Sequence, residues 1–262
     1  MELLADRILQ QDTVSGQGIV IMSDLKASGH TFGTPLEAWP VERVRTGVKE
    51  LAVLHAKTWG AKESDFPWLK EGLDLREVIL SMMGEVPWKS RFDDAEACPP
   101  SVPEEMKDRE RIVRAFKTLW KTTNEKHMCV VHGDSHVGNT FITAAGEPGF
   151  LDWQGLHANS FLHDVTYFVA GALTVEDRRA NEVALLEDYL RALEAAGGPK
   201  LEREEIWDEY RKHHLHGFAW APTPPTMQPK DMVDAMTARH VAAIVDHGSL
   251  ELLESLPEYV KE

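Results

Sequence analysis

The sequence predicts an α+β chain that is mainly helical, with a strand pair at its start and short strands at its centre. Three observations carry this reading. Apolar residues recur at helical spacing over most of the 262 residues. Three β-prone runs interrupt that pattern between Met128 and Asp152. Glycines and prolines punctuate the segments between them.

In chain order, Ala5 to Leu9 and Gly18 to Met22 read as strands joined by a turn at Ser15-Gly16-Gln17-Gly18. Val41, Val44, Val48, Leu51 and Leu54 or His55 fall on one helical face between Pro40 and Trp59, stopped by Gly60. A short helix is expected over Leu73 to Met83, then a loop holding Pro87, Pro99 and Pro100. A long helix is expected from Pro103 to Lys126, started by Ser101 or Pro103. Met128 to Val131, Thr140 to Thr143 and Phe150 to Asp152 are the central strands. Helices follow over Leu162 to Leu173, Val175 to Ala196, Glu202 to Trp220, Asp231 to Asp246 and Leu250 to Leu256, with Pro222 to Thr226 as a rigid loop.

Composition excludes several functions. Lys and Arg number 28 against 43 Asp and Glu, a formal charge of −15, which argues against a nucleic-acid partner because neutralising phosphates takes clustered cations. Cys98 and Cys129 are too few for a disulfide framework and form no Cys-x-x-Cys spacing, so a reducing compartment is the default. The charged start of the chain is neither a signal nor a transit peptide, and no apolar run is long enough to span a bilayer. A cytoplasmic protein without membrane contact is expected; protein partners are left open.

The chemistry concentrates in the middle. A strand leads into His132-Gly133-Asp134-Ser135-His136-Val137-Gly138-Asn139, a second strand leaves it, and a third delivers Asp152. Asp134 and Asn139 stand at D-x-x-x-x-N spacing, as in kinase catalytic loops. Phosphoryl transfer needs a carboxylate near the acceptor hydroxyl and hard oxygen ligands for Mg²⁺ beside the phosphate.

His132-Gly133-Asp134-x-His136-x-Gly138-Asn139 resembles the signature of the aminoglycoside phosphotransferase and choline kinase family, small-molecule kinases that share the protein-kinase fold. Leu151-Asp152-Trp153-Gln154 is similar to the form found in its ecdysteroid-kinase-like branch. Val20 to Leu25, with Gly29 and Phe32, resembles the strand and hinge behind the adenine, and Leu51 to Ala56 with Trp59 resembles the helix that follows. The resemblance implies ATP and Mg²⁺ as cofactors and a small-molecule hydroxyl as acceptor. It also implies Asp134 as the catalytic carboxylate and Asn139 and Asp152 as metal ligands. Met22, Ser23, Asp24 and Leu25 would lie against the nucleotide, with His132, His136 and Gln154 in support. Asp164 resembles the family's structural Asp, with a carboxylate placed to cap backbone N–H groups near a helix start.

The fold so implied is protein-kinase-like, with a mainly helical C-terminal lobe over residues 31–262. Residues 1–30 would be the hinge and the remnant of an incomplete N-terminal β lobe. Fewer than 20 residues precede Ile19, the first lysine is Lys26, and no G-x-G-x-x-G occurs, so half of the phosphate clamp is expected to be missing. Three functions compete: a small-molecule phosphotransferase, a catalytically inactive remnant that binds a ligand or partner, and a two-metal phosphoesterase. The last ranks third, because Thr140 follows Asn139 where a histidine is wanted.

Other clusters have plainer readings. His213, His214 and His216 look like metal ligands, but a third ligand is not evident on one helix, and a solvated face is expected. Trp153, Trp207 and Trp220 could box a cation, although Trp207 and Trp220 read as core anchors. The acidic run Glu202, Glu204, Glu205, Asp208 and Glu209 reads as a solvated face.

Overall fold

The computed structural model describes residues 5–11, 18–66 and 75–259. The chain is α+β and mainly helical, as the apolar spacing predicts. β1 (Ala5–Gln11) pairs antiparallel with β2 (Gly18–Met22). The turn expected at residues 15–17 and the start of the helix expected at Leu73 lie outside the described residues.

Beyond a tight turn, β3 (Thr31–Phe32) joins a three-stranded sheet in the order β3-β5-β6. Its partners are β5 (Thr140–Ile142) and β6 (Pro148–Phe150), with Thr31 opposite Ile142 and Thr140 opposite Phe150. β4 (Met128–Val131) pairs instead with β7 (His157–Ser160), Met128 opposite Ser160. β7 carries the sequence His-Ala-Asn-Ser, with no β-branched or alternating signal, so no strand was expected there; backbone pairing to β4 makes it. The third expected strand ends at Phe150, two residues short of Asp152.

The helices enclose this β unit. α1 (Val41–Lys57) buries Val44, Val48, Leu51, Ala52 and His55 on one face, the face read from the sequence. α2 (Leu75–Met82) is followed by α3 (Glu85–Phe92), where a loop was expected around Pro87. Pro87 sits in the first turn of α3, where its missing N–H leaves no hydrogen bond unmade. The long helix expected over Pro103 to Lys126 is broken at both ends. A 3₁₀ turn covers Glu104–Met106, and Asp108 then caps α4 (Arg109–Lys121) by accepting from the Arg111 N–H at 3.1 Å. Asn124 caps a further 3₁₀ turn before β4.

α5 (Leu162–Ala172) is buried on every side; its residues are mostly apolar, with His163, Asp164 and Thr166 buried in its first turns. α6 (Val175–Ala195) packs along α1, and Leu185, Leu186, Tyr189 and Leu193 join Val48, Leu51 and Phe168 in one core. α7 (Arg203–His213) ends earlier than expected, and residues His214–Trp220 tighten into 3₁₀ turns packed against α5 and α8 (Lys230–His247). A second core joins α2, α3 and α4 to Leu215, Phe218, α8 and α9 (Ser249–Glu254). Among the described residues, no helix is long and apolar enough to cross a membrane.

Candidate active site

The site is built on the loop after β4. The chain turns at Gly133, whose φ is +84° and whose added Cβ would lie 2.1 Å from the Gly155 carbonyl oxygen, so no side chain fits. The turn is fastened by Asp164, fully buried in the first turn of α5. Its carboxylate accepts from the backbone N–H of His132 at 2.6 Å and of Gly133 at 3.0 Å. The capping expected of Asp164 is thus directed at the loop and not at its own helix. His55 of α1 reaches the same carboxylate through Nε2 at 3.1 Å, and its Nδ1 meets the Tyr189 hydroxyl at 2.8 Å. Burial pushes the Asp164 carboxyl up, but the hydrogen bond and charge of His55, with His163 and His132, hold it well below the usual carboxylate range.

Within the loop each ring has a fixed tautomer. His132 accepts from the Asp134 N–H at Nδ1 (3.2 Å), so its Nε2 donates to the Leu151 carbonyl (2.9 Å), tying the loop to the segment before Asp152. His136 accepts from the Gly138 N–H at Nδ1 (3.0 Å), so its Nε2–H faces Asp134 Oδ2 at 3.7 Å. The Asn139 amide donates to Asp134 twice, to Oδ2 at 2.9 Å and to the backbone carbonyl at 3.0 Å. That fixes the amide and leaves Oδ1 as its acceptor atom. The Leu151 N–H donates to the Asn139 carbonyl at 3.0 Å, so Asn139 and Asp152 stand at adjoining ends of β5 and β6. Asp152 is exposed and holds φ 62°, ψ 59°, the one left-handed non-glycine among the described residues. Such a conformation stores strain, which is characteristic of functional turns.

Asp134, His136 and Asp152 line one cleft of about 350 Å³, together with Tyr167, Trp220, Thr223, Met227, Gln228 and Met236. Burial raises the Asp134 carboxyl above the ordinary range, with Asp152 adding to it against the opposing pull of His136 and His132. Burial lowers His136. Met22 to Leu25 do not line this cleft. Asp24 instead accepts from the Ala27 N–H at 2.9 Å, and the Asp24 and Leu25 carbonyls close the turn over Ser28 and His30. Gln154 is exposed beside Trp153, which packs on the His132 ring with centroids 4.5 Å apart.

The far wall of the cleft was not found from the sequence. Tyr167 sits in a helix that reads as plain core, and Trp220 to Met236 lie far along the chain in a loop and helix without a motif. The one available signal was Trp220, read as a core anchor; it packs on the second core and also lines the cleft. Trp207 is a core residue, stacked on Tyr210 at 5.3 Å. The expectation of a solvated face for His213, His214 and His216 is overturned: all three are buried, at the end of α7 and in the turn that follows, which α5 and α8 enclose. The acidic run does face solvent at Glu202, Glu204, Glu205 and Asp208.

With this geometry in place, comparison with known proteins decides the family. The sequence profile of the ecdysteroid kinase-like family matches residues 3–197. The chain belongs to that family. No curated protein matches it in sequence. Among solved structures it is similar to the choline kinase LicA from Streptococcus pneumoniae, at 15% identity and a TM-score of 0.51, covering 93% of this chain and 75% of that one. LicA in complex with AMP gives 17% identity and 0.52, covering 94% and 74%. An ethanolamine kinase of Plasmodium vivax gives 14% and 0.54, covering 92% and 67%. At such identities the likeness shows the fold alone, and that fold is the protein-kinase-like one of small-molecule kinases. Residues 132–139 and 151–154, which carry the resemblance read from the sequence, lie within the stretch that the family profile matches.

Proposed function

We propose that this ecdysteroid kinase-like chain is an ATP- and Mg²⁺-dependent phosphotransferase, moving the γ-phosphoryl group to a hydroxyl of a small metabolite. The observation that carries the proposal is the cleft in which Asp134, His136 and Asp152 face one another, with Asn139 held on Asp134. Asp134 would orient the acceptor hydroxyl and take its proton, helped by a carboxyl that burial holds above the ordinary range. Asn139 Oδ1 and the exposed Asp152 carboxylate are hard oxygen donors at adjoining strand ends, the donor chemistry that Mg²⁺ takes. The ion, when bound, supplies charge neutralisation to the phosphate oxygens. His136 Nε2 would stand beside the Asp134 carboxylate at 3.7 Å, while Tyr167 and Trp220 would shield the acceptor from water.

In this reading residues 31–262 form the helical lobe and residues 1–30 the hinge and strands beside the nucleotide, with Met22 to Leu25 nearest the adenine. The AMP complex of LicA, a protein of the same fold, supports a nucleotide there. Cys98 and Cys129 are both unpaired thiols, which supports a reducing, cytoplasmic setting.

One observation favours a second reading, a catalytically inactive kinase-like protein that binds a ligand or partner. The Asp24 and Leu25 carbonyls are engaged in their own turn, and the hinge does not line the cleft. Calorimetry separates the two. Mg-ATP should bind the wild-type chain, and Asp152→Ala should lose the magnesium-dependent part of that binding. Absence of Mg-ATP binding selects the second reading.

A further inference from the structure

The histidines of the 3₁₀ turn have a partner set that their spacing in the chain hides. His214 is fully buried, and neither of its ring nitrogens meets a hydrogen-bond partner among the described residues. An imidazole so placed has lost its water and gained nothing in return, an arrangement proteins rarely keep. Glu182 of α6 and His247 at the end of α8 face it. Ligand atoms of Glu182, His214 and His247 all lie within 4.8 Å of one another, and all three residues are buried.

We propose that Glu182, His214 and His247 form a transition-metal site of the zinc type, separate from the kinase cleft, which ties α6, the His214–Trp220 turn and α8 together. Two imidazoles and one carboxylate are a common ligand set for Zn²⁺. At present His247 Nε2 and Glu182 Oε2 share a hydrogen bond of 3.1 Å, and a metal would replace that proton. Tyr210 packs edge-on against the His214 and His247 rings at 4.7 and 5.5 Å.

Two features set what binding requires. Arg178 donates to Glu182 Oε2 at 2.8 Å, but it also pairs with Asp246, so Glu182 is not its sole counter-ion. The His214 and His247 rings are stacked 5° from parallel with centroids 4.4 Å apart. Parallel imidazoles cannot both aim in-plane lone pairs at one ion, so the His214 ring must turn about its terminal torsion, which is broad for histidine.

The test is titration of the chelator-treated chain with Co²⁺, followed by its visible ligand-field band, and with Zn²⁺, followed by melting temperature. Wild-type protein should take up one Co²⁺ with the band of a tetrahedral site. At a hundredfold excess of Zn²⁺ over its Kd the melting temperature should rise by roughly 5–10 °C, reversed by chelator. His214→Gln, His247→Gln and Glu182→Gln should each weaken Co²⁺ binding by about tenfold or more, and Asp152→Ala should leave it unchanged. Should the variants not fold, the wild-type band and the chelator-reversible melting shift decide. No band and no shift in the wild-type chain, or a band unaltered in His214→Gln and His247→Gln, overturns the proposal in favour of a hydrogen-bonded cluster satisfied by water.

Discussion

Asn139 donates its side-chain amide to both the carboxylate and the backbone carbonyl of Asp134, at 2.9 and 3.0 Å. One residue therefore fixes the carboxylate of the proposed base and leaves its own oxygen without a donated proton, as a metal ligand would need. Asn139→Ala removes both bonds and should destabilise the chain by about 1–2 kcal/mol in urea denaturation. Phosphoryl transfer should fall by more than tenfold, beyond what that stability loss explains. Asn139→Asp keeps the shape but sets a second carboxylate against Asp134, and should fare no better.

The elevated Asp134 carboxyl gives a pH test. Burial is the main cause and the Asp152 charge adds to it, so Asp152→Asn should lower the Asp134 pKa. A carbon-13 titration of the Asp134 carboxyl reads this directly. The raised value also means that Asp134 contributes stability at low pH that is lost as pH rises through its folded pKa. A pKa unmoved in Asp152→Asn would show that the Asp152 charge does not act on Asp134 and that burial alone raises it.

Asp164 has the opposite sign. Its carboxyl is depressed, so its contribution is present above the unfolded value near 3.8 and is lost as pH falls toward the folded value. Asp164→Asn turns a donor toward either the His132 or the Gly133 N–H and leaves His55 without its carboxylate. Removing one partner of such a buried arrangement costs about 3–5 kcal/mol. Urea midpoints at pH 7 and pH 2.5 should show the variant less stable at pH 7 and the difference smaller at pH 2.5, below the unfolded carboxyl value.

Trp220 lines the same cleft as Asp134 and Asp152, and in the proposed reading it would contact the acceptor. Trp220→Ala should raise the KM for the acceptor about tenfold or more while changing kcat little, as expected when uniform binding is lost. Steady-state kinetics with the acceptor varied at saturating Mg-ATP would measure it.

Much of the site was legible because its chemistry is local: Asp134, Asn139 and Asp152 lie within 19 consecutive residues, delivered by three short runs. Residues brought together by packing were not legible. Tyr167 and Met236 reach the cleft from helices 69 residues apart in sequence, and no spacing rule links them. The histidines near residue 214 were misread for a related reason. Gly217 lets the His240 ring approach to where a Cβ would stand 2.1 Å from its Nδ1, so a segment of polar composition closes into the interior. β7 was missed because its polar residues pair through backbone alone, and the late start of the long helix because Asp108, not Pro103, supplies the cap.

The central claim, phosphoryl transfer from Mg-ATP to an alcohol through Asp134, is tested most directly by phosphorus-31 NMR. The chain would be incubated with Mg-ATP and a panel of hydroxylated small molecules, beside Asp134→Asn. A phosphomonoester should form together with ADP in the wild-type reaction, and its rate should fall by about 10²-fold or more in Asp134→Asn. Mg-ATP binding without any phosphomonoester across the panel, or a rate unchanged by Asp134→Asn, would contradict it.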